Sequence, residues 1–252
     1  MTRWSMALAI AWLVAGCTGG AERISLDELI ARHTSARGGA EAIESVQGID
    51  IELRIVEPAF QVDGRYVATR DGRMRIDVAQ DGQHVFTEAL VGQRSWSWSP
   101  GITGASEGSE QGTAALRHGI EFPFKLYGLH ELRGRGHRLE LLGRQKLDAV
   151  DYYQLQLTLD DGFQVQYFVN PDTWLIERER QLRALHVDID PEPQWIETVF
   201  SDYRPVNGVQ FPYQPECRCG SLQRALTGFS CAGSPARRAR GGRRHACATT
   251  PR

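Results

Sequence analysis

The residues best suited to acid–base or metal chemistry are seven histidines, at positions 33, 84, 118, 130, 137, 186 and 245, and the run His186-Val187-Asp188-Ile189-Asp190. In that run an imidazole and two carboxylates alternate, so an extended segment would turn all three to one side, a donor set that suits a divalent cation. The run leads directly into Pro191-Glu192-Pro193, which marks a solvated turn, and no metal is assigned to it. The remaining histidines stand singly. The chain has no Gly-x-Ser-x-Gly elbow, His-Glu-x-x-His pair, phosphate loop or dinucleotide fingerprint. Of the five cysteines, Cys17 stands alone and Cys217, Cys219, Cys231 and Cys247 crowd the last stretch, at spacings that fit no usual zinc pattern. Between Cys17 and Cys217 there is neither a thiol nucleophile nor a disulfide framework. The expectation is a protein that is not an enzyme, with no metal and no cofactor.

The conspicuous residues are apolar instead. Trp96-Ser97-Trp98 sets two indoles on one face of a strand, and Trp174 and Trp195 fall on other strands. The strongest element is Val150 to Ile176, where Tyr153, Leu155, Leu157 and Leu159, then Phe163, Val165, Tyr167 and Val169, alternate with polar residues. Asp161-Gly162 between the two runs is a hairpin turn signal. Further strands are expected at Ile49–Ile55, Gln61–Arg70, Arg73–Val78, His84–Val91, Ser95–Ser99, His137–Leu142, Trp174–Leu182, Trp195–Tyr203 and Val206–Tyr213. Ser25-Leu26-Asp27-Glu28 has the form of a helix start, and Gly38-Gly39 interrupts that helix before it resumes over Ala40–Val46. Residues 101–112, rich in Gly, Ser and Thr, read as a mobile loop, and Leu116 to Leu132 as helix in pieces.

Together these give an α+β fold: one continuing antiparallel meander of about ten strands, with helices in two places. A long coiled sheet is not filled by its own side chains and leaves room for a ligand. The expected domain runs over 25–214.

The ends differ from the body. Arg3, the apolar run Met6 to Val14 and then Val14-Ala15-Gly16-Cys17 have the order of a lipoprotein leader, in which Cys17 is lipidated and becomes the mature N-terminus. Residues 1–17 are that leader, too short to remain as a membrane span, and 18–24 a tether. From Pro215 the chain loses Ile and Val and gains eight arginines against one acidic residue, Glu216. Residues 215–252 read as disorder or as translation out of frame, because a β-pattern stops there without a folding reason. With a net charge of −2 overall, no nucleic-acid partner is expected.

Thr69-Arg70-Asp71 at a strand end, followed by Val91-Gly92-Gln93-Arg94-Ser95-Trp96-Ser97-Trp98-Ser99-Pro100, resembles the periplasmic lipoprotein carriers. Gly143-Arg144-Gln145, Tyr167-Phe168-Val169-Asn170-Pro171-Asp172-Thr173-Trp174 and Tyr203-Arg204-Pro205-Val206-Asn207-Gly208 are similar to the outer-membrane lipoprotein-sorting relatives. The resemblance spans about residues 25–213. It implies a single strongly curved antiparallel sheet, an open half-barrel, with helices as a lid over an apolar cavity that takes acyl chains, and a gating arginine bonded to lid backbone, at the position of Arg70. Asp71 stands where the family has proline, and the soluble carriers lack an anchor like Cys17.

The resulting expectation is an envelope protein anchored by lipid, on the outer membrane facing the periplasm, that holds acyl chains of lipoproteins or another amphiphile. Trp96, Trp98, Leu155, Leu157, Val165, Tyr167 and Trp174 would line the cavity, with Phe122, Phe124 and Tyr127 as the lid. The alternative is a regulatory or structural envelope lipoprotein of the same fold that binds a protein partner.

Overall fold

The computed structural model describes residues 24–56, 61–219 and 247–251; the leader with Cys17, the tether through Arg23 and the tail between 220 and 246 lie outside the described residues. Helix α1 (Leu26–Ala36) opens on Ser25, whose hydroxyl accepts the Glu28 backbone N–H at 3.1 Å, satisfying one of the free donors at a helix start. Gly38 and Gly39, at φ 121° and 93°, turn the chain into α2 (Ala40–Ser45). A Cβ on Gly38 would lie 2.1 Å from the Gly208 carbonyl oxygen, so conformation and space both require glycine there.

A first meander follows: β1 (Gly48–Val56), β2 (Gln61–Thr69), β3 (Arg73–Gln80), β4 (Gln83–Val91), β5 (Arg94–Trp98) and the two-residue β6 (Ser106–Glu107). The chain then crosses over through α3 (Glu110–Glu121), an irregular stretch, α4 (Leu129–Leu132) and a 3₁₀ turn at Arg133–Arg135. A second meander comprises β7 (Arg138–Leu147), β8 (Val150–Thr158), β9 (Gln164–Val169), β10 (Ile176–Arg183), β11 (Gln194–Val206) and β12 (Val209–Cys219). The last described strand, β13 (Cys247–Pro251), pairs antiparallel with β1.

The single sheet expected from the periodicity is therefore corrected to two. One has the order β13-β1-β2-β3-β4-β5-β6 and the other β12-β11-β10-β9-β8-β7, both antiparallel and neither closed. The reason is the helical insert: the first ladder ends at β6, and after the crossing the chain starts a new ladder with β7 as its free edge. β12 runs through Pro215 to Cys219, so the change of composition falls inside a strand.

The insert is also more ordered than its composition suggests. Ser109 caps α3, its hydroxyl accepting from Gly112 N at 2.9 Å, and the Asp188 carboxylate accepts from Ser109 N at 3.2 Å. Inside, Leu29, Ile30, Leu126, Leu129 and Leu132 from the helical segments join Leu155, Leu157, Val165 and Tyr167 from β8 and β9 in one continuous core. Each such side chain contributes about 1.5–3 kcal/mol when fully buried. Among the described residues no helix is long and apolar enough to cross a membrane.

Candidate functional site

A cavity of about 810 Å³ lies beside this core, between the two sheets and under the insert. Alternation along β1 turns Ile49, Ile51 and Leu53 into it, β3 adds Met74 and Ile76, β11 adds Phe200, and the stretch after α3 covers it with Phe122 and Phe124. Most of its surface is apolar, and its size falls within the roughly 300–1,000 Å³ typical of small-ligand pockets.

Two arginines fasten the cover to the body. Arg70, where β2 ends, donates to three backbone carbonyls: Val46 (2.5 Å), Ile43 (2.8 Å) and Leu126 (2.7 Å). It also pairs with Glu131 at 2.5 Å and lies over the Tyr127 ring at 4.8 Å, and Tyr127 Oη donates back to the Arg70 carbonyl at 3.1 Å. Glu131 accepts the Gly128 N–H at 2.8 Å, so the carboxylate ties the start of α4 to the same cation. The lid-backbone contacts implied by the family resemblance are thus made by Arg70. Arg37 is the second fastening: it is buried, donates to the Pro123 carbonyl and stands over Phe211 at 5.5 Å. Burial lowers its pKa to about 10. Sequence reading missed Arg37, because an arginine at the end of an amphipathic helix looks like an exposed cap.

The cavity is not wholly apolar. Glu179, Gln181 and Arg183 project into it from β10, and Lys125 from the cover. Burial raises the Glu179 pKa to about 7, against the opposing pull of Arg183 and Lys125. Burial likewise lowers Lys125 to about 8; its ammonium donates to the Gly119 carbonyl at 2.9 Å and sits 4.5 Å from the Tyr66 ring centroid. A trace of this was present in the sequence: Ile176-Glu-Arg-Glu-Arg-Gln-Leu-Arg183 has no apolar face, which is anomalous for a strand in the middle of a sheet.

The residues expected to line the cavity lie elsewhere. Leu155, Leu157, Val165 and Tyr167 are fully buried, but against the helical segments, so the hairpin face is filled rather than hollow. Trp96 and Trp98 stand on the face of β5 opposite Ser95, and Ser95 is the inward residue, bonded to Thr113 of α3 at 2.7 Å. Trp98 stacks on His84 at 4.9 Å and Trp96 lies under Arg94. Trp174 is not in a strand: at φ 59° it ends the turn after β9, between the Tyr153 ring and the Arg32 guanidinium. Its carbonyl accepts from Nδ1 of buried His33 at 2.8 Å, and burial holds His33 neutral by lowering its pKa to about 3. Of the lid residues, Phe122 and Phe124 line the cavity, whereas Tyr127 serves the Arg70 fastening. Trp195 is exposed.

The His186 run has a structural explanation. His186 Nε2 meets the Glu88 carboxylate at 2.9 Å, and that hydrogen bond raises its pKa, while Asp188 caps α3. Among the described residues no group of three His, Cys, Asp or Glu side chains is placed to hold a metal ion.

No protein-family model matches the sequence, and no curated protein matches it. Solved structures do. A LolA superfamily protein from Nitrosomonas europaea superposes with a TM-score of 0.50 at 10% identity, over 90% of this chain and 92% of that one. The chain has the LolA fold. A DUF1329 family protein from Desulfovibrio piger (12% identity, 89% and 90% of the two chains) gives a TM-score of 0.49. A putative outer membrane lipoprotein-sorting protein domain from Vibrio parahaemolyticus (8% identity, 88% and 91%) gives the same value. The likeness drawn from Arg70, the tryptophan segment and the Asn170-Pro171 turn thus holds at the level of the fold.

Proposed function

We propose that this protein is a non-catalytic carrier or acceptor of acyl chains, from lipoproteins or another amphiphile, fixed to the cell envelope through a lipid on Cys17. The observation that carries the reading is the 810 Å³ cavity, walled by Ile49, Ile51, Met74, Ile76 and Phe200 and covered by Phe122 and Phe124. Chain burial supplies affinity at about 0.8 kcal/mol per CH₂, and no bond needs to be made or broken. Arg70 gates the cover, because its bonds to Ile43, Val46 and Leu126 carbonyls join it to both α2 and the lid stretch. In this reading the protein sits on the outer membrane and faces the periplasm.

The test is uptake of a fluorescent fatty acid together with lipid mass spectrometry of protein purified in mild detergent. Wild type should take up the probe and carry co-purified lipid, and Ile51→Trp, which fills the cavity, should do neither. Absence of both lipid and uptake in the wild type would sink the proposal. An intact-mass measurement of the mature protein checks the lipid at Cys17 separately.

A second reading, docking of an envelope protein, is favoured by one observation. Leu182 and Trp195 are direct cross-strand partners and are 49% and 56% exposed, which makes an apolar pair on the outside of the second sheet. Trp195→Ala would then abolish a pull-down while leaving lipid uptake intact.

A further inference from the structure

A straight row of polar side chains crosses the second sheet at the wall of the cavity. The register places Tyr167 beside Glu179, Glu179 beside Thr198, and Thr198 beside Cys217, on neighbouring strands β9 to β12. Gln181 is the next residue of β10 on the same face. Glu179, Gln181, Thr198 and Cys217 all line the cavity.

Three atoms of this row are unusual, and one of them is the Tyr167 hydroxyl, fully buried and without a hydrogen-bond partner beside Glu179. Glu179 and Gln181 are only 4% and 2% exposed, and Gln181 Nε2 donates to Glu179 Oε1 at 2.9 Å. That bond leaves Glu179 Oε2 and Gln181 Oε1 buried without a hydrogen-bond partner. Gln181 Oε1 is an acceptor, and Glu179 Oε2 is one when the carboxyl is ionised; the two residues stand next to each other on one strand face. Buried acceptors are satisfied in the great majority of proteins, and a polar group left bare in an apolar site costs free energy that a partner recovers. The Tyr66 hydroxyl, across the cavity on β2, is bare as well and can serve as donor or acceptor. Neither neighbouring cation hydrogen-bonds to these two oxygens: Lys125 donates to the Gly119 carbonyl, and Arg183 to the carbonyls of Ala184 and Leu185.

We infer that Glu179 and Gln181 form a head-group subsite in the cavity, and that the ligand is an acyl amphiphile carrying an uncharged hydrogen-bond donor, a hydroxyl or amide N–H. The donor satisfies Glu179 Oε2 and Gln181 Oε1 while the chain lies along Ile49, Ile51 and Ile76. This rests on the acyl-binding reading above and adds to it a discrimination between amphiphiles of equal chain length. A ligand without a donor leaves both oxygens bare and gains only chain burial.

The experiment is displacement of a fluorescent fatty acid by three competitors of one chain length: monopalmitoylglycerol, which offers hydroxyls, N-methylpalmitamide, which offers an amide N–H, and methyl palmitate, which has neither. Monopalmitoylglycerol or the amide should displace the probe from wild type at concentrations roughly tenfold lower than methyl palmitate needs. Whichever of the two does so names the source of the donor. Glu179→Leu and Gln181→Leu should each cut that preference, taken within each variant as the ratio of the two displacing concentrations, to about threefold or less. Glu179→Gln, which keeps an acceptor oxygen, should retain it, and melting curves establish that each variant is folded. Equal displacement by all three competitors, or a preference that survives in both leucine variants, overturns the subsite while leaving acyl binding in place. Failure of the wild type to take up the probe removes both.

Discussion

Two walls of the same sheet behave differently. On β8 and β9, Leu155, Leu157, Val165 and Tyr167 are fully buried in one core with Leu126, Leu129 and Leu132. On β10 to β12 the corresponding face carries Glu179, Gln181, Thr198 and Cys217, and there the molecule is open. A regular apolar alternation attracts a cover and becomes core. A wall whose residues are polar or short cannot be closed by packing, and room survives in front of it. On this sheet the cavity therefore lies where the hydrophobic pattern fails, while the wall it faces, on β1 and β3, is regular and apolar.

The sharpest way to break this contrast is to cut into both walls. Leu155→Ala should cost about 2–5 kcal/mol, read from denaturant midpoints, because a filled site becomes a void. Ile51→Ala, which faces the open wall from β1 of the first sheet, should cost less than half of that and should change lipid uptake instead. Equal costs would mean that the cavity is as tightly packed as the core.

Next in size is the fastening. Arg70→Ala strands Glu131 and frees the Leu126, Ile43 and Val46 carbonyls, at a cost of about 3 kcal/mol. Amide exchange should quicken through 120–132 and stay slow in β8 and β9.

A titration separates the two walls by sign. His33, behind the filled wall, has its pKa lowered from 6.5 to about 3, so the stability it permits is present above pH 6.5 and is lost as pH falls toward 3. Glu179, at the open wall, has its pKa raised from 4.5 to about 7, so its contribution is complete below pH 4.5 and is lost as pH rises through 7. His33→Asn should flatten the acid limb of a stability–pH curve, and Glu179→Gln the limb between pH 5 and 8. If either variant merely shifts the whole curve, the corresponding group does not titrate as described.

The smallest effect concerns the indoles. Trp98→Ala removes a stack on His84 and should cost about 0.5–1.5 kcal/mol with lipid uptake unchanged, since the ring stands outside the cavity.

Much of the fold was legible. The Asp161-Gly162 turn, with Gly162 at φ 90°, the Ser25 cap and the break at Gly38-Gly39 are local events that short-range chemistry decides. The strands of both meanders follow from alternation with period two. The division into two sheets was not legible, because whether β6 and β7 meet depends on how the insert spans the molecule, and periodicity carries no such information. Around the cavity, the sequence drew notice to Phe122 and Phe124, which line it, and to Arg70, which bonds to the Leu126 carbonyl. Trp96 and Trp98 were placed by assuming that large rings face inward; Ser95, small enough to fit under α3, took that side instead. Glu179 and Gln181 were passed over because charge in a strand reads as solvent exposure. The clue was that β10 has charge on both faces although a central strand of an antiparallel sheet ordinarily keeps one face apolar for the core.

Apart from the Glu131 carboxylate and the ring of Tyr127, Arg70 grips its neighbours through peptide oxygens, and Arg37 donates to the Pro123 carbonyl in the same way. Such a clasp does not depend on which side chains the clasped segments carry. The cover over the cavity can therefore exchange Phe122 and Phe124 for other residues, reshaping what it accepts, while the means of holding it stays fixed. The fastening and the selectivity of this protein are free to evolve separately.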